Sequence, residues 1–527
     1  MPREYDAIVI GGGHNGLVNA AYLARAGKKV LVLERRPVLG GASVTEEIFS
    51  GFKFTVFSYV VSLFRPEIIR DLDLTRHGLM ILPLESTLTP LPDGRYLFRG
   101  PDHYQTYREV SKFSPRDADA YEDYSRSMYF MAKAVKYILG AIPPDPTRLN
   151  PGDLRGLLEM ARHFLRLDDE PFYTLVRLMT MSSADFLQRW FESEPLLGTM
   201  SASGIIGTFL GPRSPGTAYV LLHHYMGEID GNFRAWGFAK GGTGGIATAI
   251  AKSARSLGVE IRTEATAGKV MVKDGRATGV ALEDGEEIYS KVVVSSLDPR
   301  ATFLKLVEPA HLPEETISAV KKYVYRGSSG KVNLALDALP DLTCMPGAGA
   351  HLRGAISISP SIDYIERAYD QAKYGEFSQR PYIDMIIPSM IDPDMAPPGK
   401  HVMSCFVQYA PYELSEGSWD EKREAFGDAV VDTLSEYMPN LKDIILHRQV
   451  LTPLDIERTT GLSEGNIFQG ELSLSQLYFL RPAAGLAKYR TPVRSYYQCG
   501  SGTHPGGGIT GAPGRLAALE ILKDWSA

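Results

Sequence analysis

The first 34 residues carry the pattern that most limits how this chain can fold. Asp6 to Ile10 has the composition of a short buried strand, and a glycine-rich turn follows it directly. Apolar residues then recur at the spacing of one helix face, and a second apolar strand runs from Lys29 to Leu33. The glycines of the turn fit the spacing G-x-G-x-x-G and are Gly11, Gly13 and Gly16. This order of elements predicts a βαβ unit that binds a dinucleotide.

Each residue type in this unit has a physical reason to be there. Gly11 allows a tight turn, Gly13 lets the backbone approach a pyrophosphate, and Gly16 lets the helix pack closely on the strand. The helix begins beside Asn15 and offers free N–H groups and the positive end of its dipole to phosphates. Glu34 ends the second strand, where a carboxylate accepts hydrogen bonds from the ribose of an adenosine.

The residues after Glu34 favour FAD over NAD. Arg35 is followed by the glycine pair Gly40-Gly41, which would bring backbone against the phosphates and the ribityl chain of the cofactor. A plain turn is the alternative interpretation of this pair. The extended pattern resembles that of disulfide-reductase-like and amine-oxidase-like flavoproteins, and enzymes that bind only NAD generally lack it. The resemblance therefore implies FAD.

Length and composition exclude several classes of protein. A chain of 527 residues predicts two or three domains, and a net charge of −6 without a basic run argues against nucleic acid as a partner. Its three cysteines are far apart, which excludes a CxxC redox pair and a recognisable metal site and suits a reducing compartment.

The same features bear on localisation. No apolar run approaches the roughly 18 residues of a membrane span, and the first strand starts too close to Met1 for a signal peptide. We expect a cytoplasmic protein, mitochondrial if its source is eukaryotic, and peripheral contact with a membrane stays open. The oligomeric state also stays open, with a homodimer as one option.

Patterns beyond residue 78 predict that the cofactor domain is discontinuous. Residues 238–300 combine a glycine-rich turn, a helix, an Asp-Gly hairpin and an apolar strand, and we expect Val270 in the hairpin to lie near the adenine. The predicted FAD-binding segments are 1–78, 238–300 and 486–527. A substrate and cap domain is predicted for 79–237 and 301–485. Its amphipathic helices between 154 and 191 either cover a cavity or core, or lie on a membrane surface.

The second informative stretch closes the chain. Residues 496–514 run from a strand through a glycine-rich loop, and a helix follows to about Trp525. Seven glycines before a helix suit close approach to a flat ring and a phosphate chain, and a turn without a ligand is the alternative. His504 is the one histidine of this loop, where it acts either as an acid–base group or only in positioning the loop.

The closing motif GSGTHPGGGITGAPG is similar to the C-terminal signature of the phytoene dehydrogenase-like (carotenoid desaturase) flavoprotein family. Together with GGGHNGLVNAAYLARAGKKVLVLERRPVLGGASVTEE it most resembles a branch of that family named after pyridine nucleotide-disulfide oxidoreductases. The pieces FAKGGTGG, DFLQRWFESEPL and EGNIFQGELSLSQLYFLRP are also similar to that branch. The chain has no CxxC and no second G-x-G-x-x-G for a nicotinamide domain, so we do not expect the disulfide chemistry of the branch name.

The resemblance implies an α/β fold with non-covalent FAD. It implies a discontinuous, glutathione-reductase-like Rossmann FAD domain and a substrate domain with a mixed β-sheet and a helical cap. The typical activity of the family is flavin-dependent desaturation, saturation or isomerisation around C–C double bonds, with a hydride passing to flavin N5. The predicted FAD contacts are Gly11, Gly13, Asn15, Gly16, Glu34, Arg35, Gly40, Gly41, Val270, Gly502, Gly506, Gly507 and Thr510.

Three functions stay open on the sequence alone. The preferred one is an FAD-dependent oxidoreductase that acts on C–C or C=C bonds of a hydrophobic, lipid- or polyene-like substrate in an apolar tunnel. The first alternative is an amine-oxidase-like flavoenzyme. It would need an aromatic cage, for which Tyr225, Tyr409, Tyr412, Tyr496 and Tyr497 are available. The second alternative is an FAD-bound regulatory or binding protein with little turnover. The catalytic residue is unknown, and His504 is the candidate that we name.

Overall fold

The computed structural model describes residues 4–148, 150–229, 231–233 and 235–526. Its strands are β1 (Glu4–Ile10), β2 (Val30–Leu33), β3 (Thr45–Phe49), β4 (Phe52–Thr55), β5 (Ile81–Pro83), β6 (Thr87–Pro90), β7 (Tyr96–Arg99), β8 (Glu228–Ile229), β9 (Asn232–Phe233), β10 (Gly237–Ala239), β11 (Glu260–Arg262), β12 (Ala267–Lys273), β13 (Arg276–Leu282), β14 (Glu287–Ser295), β15 (Ser329–Leu336), β16 (Ala355–Ile358), β17 (Tyr382–Ile386), β18 (His401–Gln408), β19 (Ile445–Leu451) and β20 (Tyr496–Gln498).

Helices cover both faces of the first sheet and form a separate layer beside the second. They are α1 (His14–Arg25), α2 (Pro66–Asp71), α3 (His103–Ser111), α4 (Pro115–Leu139), α5 (Pro151–Phe164), α6 (Asp169–Thr180), α7 (Ser183–Leu187), α8 (Glu194–Ser201), α9 (Thr217–Tyr225), α10 (Gly244–Ser256), α11 (Glu314–Lys321), α12 (Ile362–Lys373), α13 (Trp419–Ser435), α14 (Leu441–Ile444), α15 (Pro453–Thr460) and α16 (Ala512–Ser526).

The first sheet is assembled around β14. This strand pairs in parallel with β1 and, through its last residues, with β20 near the chain end. β1 continues in parallel to β2, and β2 to β11. The hairpin of β12 and β13 adds two antiparallel strands at the start of β14. Parallel pairing buries both faces, which is why β1 and β2 are continuous apolar runs in the sequence.

Alternate residues of β1 enter two different cores. Ala7 and Val9 pack with α1 and α10 on one face, whereas Ile8 and Ile10 pack with Phe303 on the other. The βαβ unit and the Asp-Gly hairpin predicted from the sequence are confirmed, as is the α/β class. Strands from both ends and the middle of the chain share this sheet. The residue boundaries of the five predicted segments stay a prediction.

The second sheet has the strand order β19-β15-β18-β17-β16-β6-β7. β16 and β6 are parallel, and the other neighbours are antiparallel, so the predicted mixed sheet is confirmed. One face packs Val332, Met403 and related apolar residues against α13. The opposite face carries the buried Lys331, whose Nζ donates to the carbonyl oxygen of Thr55 at 3.0 Å. This bond ties the second sheet to β4, which follows the first βαβ unit.

The layer from α3 to α9 is the predicted helical cap, and its first helical stretch is broken. It ends at Ser111 and restarts as α4 at Pro115, because Ser114 caps α4 by accepting the backbone N–H of Asp117 at 3.1 Å. Large apolar side chains such as Leu158, Leu165 and Tyr173 of the next helices are exposed. Membrane contact therefore stays a prediction. Among the described residues, no helix is both long and apolar enough to cross a bilayer.

Asp384 on β17 predicts a pH-dependent stability. Burial raises its pKa to about 6, even though the Tyr59 hydroxyl donates to its carboxyl at 2.6 Å. In the unfolded chain the same carboxyl ionises near pH 3.9. A folded-state pKa above the unfolded one means that stability is lost as the pH rises from about 4 to about 6.

We expect Asp384→Asn, which cannot ionise but can still accept the Tyr59 hydrogen bond, to lack that loss. The difference in melting temperature, variant minus unsubstituted protein, should be larger at pH 7 than at pH 4.5. Melting curves of both proteins at both pH values check this. A difference that is the same at both pH values would contradict it.

Candidate functional site

A cleft with about 920 Å³ of empty space, partly open to solvent, lies at the carboxyl ends of β1 and β2. The glycine turn and the start of α1 line one side, residues 265–267 after β11 line another, and Ser296 and Leu297 after β14 complete it. Open α/β sheets bind ligands at the carboxyl ends of their strands.

The glycine turn is packed so closely that Gly11 and Gly16 cannot be larger residues. A Cβ on Gly16 would lie 2.2 Å from the carbonyl oxygen of Gly11. Gly11 itself has a φ of +96°, and a Cβ there would lie 2.4 Å from Ser296 Oγ. Ser296 Oγ donates to the carbonyl oxygens of Ile10 and Gly11, both at 3.0 Å. Gly11 and Gly16 therefore shape the turn, and Ser296 locks it.

Gly13 and the Gly40-Gly41 pair form one backbone surface at the cleft. Gly13 is the N-cap of α1 and forms a parallel bridge with Gly40. The Gly40 N–H donates to the carbonyl oxygen of Gly12 at 2.9 Å, and a Cβ on Gly41 would lie 3.4 Å from Gly13 Cα. Backbone without side chains at a helix N-terminus fits a pyrophosphate.

Glu34 is buried at the cleft with its carboxylate oriented by two backbone groups. Its Oε2 accepts the Gly12 N–H at 2.7 Å, and its Oε1 accepts the Arg36 N–H at 2.9 Å. Each carboxylate oxygen keeps a second lone pair, so both can still accept hydrogen bonds from ribose hydroxyls. The predicted role of Glu34 is therefore compatible with its geometry.

Arg36 is a cleft residue that the sequence reasoning missed. Its Nη2 forms an ion pair with Glu46 at 2.8 Å, and its buried Nη1 has no hydrogen-bond partner. The predicted residue, Arg35, also lines the cleft, but its Nη2 donates to the Thr459 carbonyl oxygen at 2.6 Å. Arg36 follows β2 in a segment of bends next to Arg35, and no local pattern in the sequence distinguished the two arginines. A free guanidinium donor in the cleft fits an anionic group such as a phosphate.

The glycine-rich segment near the chain end (residues 496–514, the closing loop) reaches the cleft through Ser501. Asn15 Nδ2 donates to Ser501 Oγ at 3.0 Å, while the buried Asn15 Oδ1 has no hydrogen-bond partner. At the start of α16, a Cβ on Gly514 would lie 2.2 Å from the Asn15 carbonyl oxygen, and the Gly514 carbonyl oxygen accepts from Asn19 Nδ2 at 3.0 Å. The first and last helices therefore lock together around the cleft.

The placement of Val270 near the adenine is wrong. Val270 lies on β12 with its side chain in the core beside Phe303 and Leu306, and its N–H donates to the Leu306 carbonyl oxygen at 2.8 Å. Residues 265–267, just before that point, line the cleft instead. The sequence identified the hairpin correctly, but it did not identify which residues of this segment line the cleft.

The remaining predicted contacts lie in the closing loop, outside this cleft. A Cβ on Gly502 would lie 2.3 Å from Pro299 Cδ, and one on Gly507 would lie 2.8 Å from Phe468 Cα. Gly506 lies near the Arg481 side chain, and Thr510 lines a second cavity. Contact of these four residues with the cofactor stays a prediction.

His504 is completely buried and lines neither cavity. Its ring packs edge-on against Tyr478, with 5.2 Å between centroids, and its carbonyl oxygen accepts the Tyr489 hydroxyl at 2.9 Å. Burial, and to a smaller extent the charge of Arg481, lowers the pKa of His504 to about 3, although the nearby Ile138 carbonyl acts in the opposite direction. A neutral, enclosed imidazole supports the positioning role.

Arg481 holds together the loops around the closing loop. Its guanidinium is fully buried and donates to backbone carbonyl oxygens only, among them those of Ser501 and Phe468 at 2.9 Å and Gly470 at 3.1 Å. A buried charge is tolerated where its hydrogen bonds are satisfied. The sequence contains no signal for this role of Arg481, because every group that accepts its hydrogen bonds is a backbone carbonyl.

A second cavity, narrow and with free space for about one water-sized group, lies between the closing loop, the segment after β4, and α4 and α9. Much of its wall is apolar and includes Leu63, Phe64, Leu139 and Met226. Its charged lining residues are paired: Arg65 with Glu67 at 2.8 Å, and Lys136 with Glu228.

The five tyrosines considered for an aromatic cage do not come together. Tyr225, Tyr409, Tyr496 and Tyr497 belong to four different hydrophobic clusters. The Tyr412 hydroxyl donates to Glu457. Neither cavity is lined by any of the five.

Comparison with known proteins agrees with this geometry. Residues 9–72 match the family model of an NAD(P)-binding Rossmann-like domain, and residues 183–522 match that of flavin containing amine oxidoreductases. The rat protein called pyridine nucleotide-disulfide oxidoreductase domain-containing protein 2 is 42% identical over 553 residues, which cover 99% of this chain and 94% of the rat protein.

More distant relatives also match over nearly the whole chain. A limonene dehydrogenase polypeptide of Castellaniella defragrans is 26% identical, with 99% of this chain and 95% of that polypeptide covered. Prolycopene isomerase of Daucus carota is 26% identical, with 99% and 80% covered. An oxidoreductase structure from Methanosarcina mazei shares the fold, with a TM-score of 0.61, 17% identity and coverage of 99% and 100%. Cyclohexylamine oxidase of Brevibacterium oxydans shares it too, with a TM-score of 0.57, 17% identity and full coverage of both chains.

We expect Glu34→Gln to weaken FAD binding by about tenfold, because one charged acceptor of the ribose is replaced by a neutral amide. Fluorescence titration of the apoprotein with FAD measures the affinity. Glu47→Gln is the matched control, since Glu47 Oε1 accepts the Gly51 N–H on an exposed turn away from the cleft. Equal affinities of Glu34→Gln and the unsubstituted protein would contradict the assignment.

We expect Arg481→Met to lower the free energy of unfolding by more than about 3 kcal/mol, because several buried carbonyls lose their donor at once. Arg481→Lys keeps the charge but has fewer donors, so its loss should be intermediate. Urea unfolding followed by tryptophan fluorescence gives these values. Arg494→Met, on the surface, should change stability by less than about 0.5 kcal/mol. A variant at 481 as stable as that control would refute the anchoring role.

Proposed function

We propose that this chain, which belongs to the flavin-containing amine oxidoreductase family and is an FAD-dependent oxidoreductase, acts on C–C or C=C bonds of a hydrophobic, lipid- or polyene-like substrate. The chemistry that bound FAD supplies is acceptance of a hydride at its N5 from a substrate C–H bond. Acceptance of that hydride would give desaturation, whereas saturation would need the reverse transfer from flavin reduced by an external donor, and isomerisation would need both transfers in turn.

The observation that carries the proposal is the character of the second cavity. Apolar side chains, including Leu63, Phe64 and Met226, line it next to the closing loop. Such walls disfavour water and would contact an apolar part of a substrate that reaches this narrow cavity. Two relatives that match along the whole chain have names that refer to limonene and to prolycopene, which supports a substrate with C=C bonds.

The histidines near this cavity support a reaction that does without a strong base. Burial lowers the pKa of both His223 and His504 to about 3. Both rings are therefore neutral at pH 7, and neither is tuned to the pH range in which acid–base catalysis is efficient. The side chains around the cavity serve to position the substrate.

An amine-oxidase-like activity is the second candidate, and the description of the family model that matches residues 183–522 favours it. Two observations weigh against it. The five tyrosines available for a cage are dispersed. The carboxylates of Glu67 and Glu228 already pair with Arg65 and Lys136, so neither is free to receive an ammonium group.

The proposal is tested by anaerobic reduction of the purified holoprotein. We expect a polyene or an unsaturated acyl lipid to bleach the absorption band of the oxidised flavin, and cyclohexylamine or putrescine to leave it unchanged. Dithionite serves as the control that the flavin can be reduced. Bleaching by the amines alone would overturn the proposal in favour of the amine-oxidase alternative.

If neither class of compound bleaches a flavin that dithionite reduces, desaturation is ruled out, and the polyene is then incubated with the dithionite-reduced holoprotein to detect a saturated or isomerised product. If no product forms there either, the proposal fails, and a regulatory or binding protein becomes the better description. Recovery of a stable partner from a pull-down would then identify what it binds.

A further inference from the structure

Two buried side chains at the second cavity have hydrogen-bonding groups without a partner. His223 on α9 is 2% exposed, and neither of its ring nitrogens forms a hydrogen bond of normal geometry. Ser62, in the segment after β4, is 3% exposed, and its Oγ also has no partner. Both residues line the cavity. Because buried polar groups are almost always satisfied by protein, water or ligand, these groups mark a place for polar atoms from outside the chain.

Both groups are held firmly in position. The Ser62 carbonyl oxygen accepts the Glu228 N–H at 2.8 Å, and a Cβ on Gly227 would lie only 2.7 Å from Ser62 Oγ. His223 Nε2 faces the closing loop, 3.8 Å from where a Cβ on Gly508 would lie. Pro505 and Thr510 of the same loop line the cavity. The orphan groups therefore lie beside the loop that connects to the cofactor cleft.

The chemistry of the lining fits an uncharged polar group. Burial and the neighbouring His224 lower the pKa of His223, while the nearby Gly507 backbone raises it slightly. A neutral imidazole offers one donor and one acceptor, and a serine hydroxyl offers both as well. Arg65 and Lys136 are already paired with Glu67 and Glu228. A carboxylate or an ammonium group would lose its hydration here without gaining a counter-ion.

We propose that this cavity binds an uncharged oxygen function, a hydroxyl or carbonyl group, of the hydrophobic substrate, with His223 and Ser62 as its hydrogen-bond partners. The proposal rests on the proposed function and deepens it by naming the substrate class: apolar chains that carry an alcohol, aldehyde or ketone. A hydrocarbon of the same shape would leave the imidazole and the hydroxyl unpaired. A charged analogue would be rejected by desolvation.

The test uses one carbon skeleton with different end groups. Farnesene, farnesol, farnesal, farnesoic acid and farnesylamine are each titrated into the holoprotein, and dissociation constants are read from the perturbation of the flavin absorption spectrum. We expect farnesol and farnesal to bind about tenfold more tightly than farnesene, as one or two added buried hydrogen bonds predict. The acid and the amine should bind more weakly than the alcohol.

Variants then assign the preference to the two residues. His223→Leu and Ser62→Ala should each reduce the preference for farnesol over farnesene to near unity. His223→Asn should keep part of it, because an amide supplies a donor and an acceptor. His224→Asn is the matched control: its ring is also buried, but its Nδ1 bonds to the Val220 carbonyl oxygen at 2.9 Å, and it lies outside this cavity. Flavin content and melting temperature are measured for every variant.

Equal binding of farnesol and farnesene by the unsubstituted protein would overturn the proposal. So would a preference that survives in both His223→Leu and Ser62→Ala. Loss of FAD from a folded His223→Leu protein would assign the ring to the flavin's own site and would also overturn it. A preference for the alcohol without bleaching of the flavin by any probe would count against the proposed reaction, and it would still support the oxygen subsite.

Discussion

The contact between the two ends of the chain is the constraint on which the site depends. Gly514 at the start of α16 lies against the Asn15 carbonyl oxygen so closely that a methyl group would not fit between them. The hydrogen bonds from Asn15 to Ser501 and from Asn19 to Gly514 fix the orientation of the two helices. Because α1 begins at the glycine turn, this contact also sets the floor of the FAD cleft. The cleft is therefore complete only when the last residues have added to the first sheet.

A buried positive charge organises the interior behind that contact. Arg481 satisfies its guanidinium with backbone carbonyls of the loop that begins near Phe468 and of Ser501, so one side chain fixes two loops that have no regular secondary structure. The same charge helps to lower the pKa of His223 and His504, which burial already depresses. Both histidines beside the closing loop are consequently neutral. The reactive chemistry is left to the cofactor, and the protein contributes shape, apolar surface and fixed hydrogen-bonding groups.

In the proposed function, the larger cavity would hold the cofactor and the smaller one would contact the substrate. The larger one has a carboxylate oriented for a ribose, backbone for a pyrophosphate and an unpaired arginine donor at Arg36. The smaller one has a largely apolar wall, and its charged side chains form ion pairs. Its side-chain groups without a hydrogen-bond partner, on Ser62 and His223, are neutral. This contrast is what an enzyme needs if it binds an anionic dinucleotide and a hydrophobic molecule side by side.

The sequence by itself determined the βαβ unit, the FAD signature, the Asp-Gly hairpin and the mixed second sheet, because each follows from local spacing, turn chemistry or strand alternation. It also located Glu34, Asn15 and the glycines of the turn, whose roles are set by neighbours in the chain. Only the tertiary structure decided that Val270 faces a core and that Arg36 faces the cleft, whereas the break between α3 and α4 follows from the local cap by Ser114 and from Pro115. Only it brought Ser62 and His223 to one cavity and surrounded Arg481 with carbonyls. Those outcomes depend on which distant segments pack together, and packing is a property of the whole folded chain that no local pattern encodes.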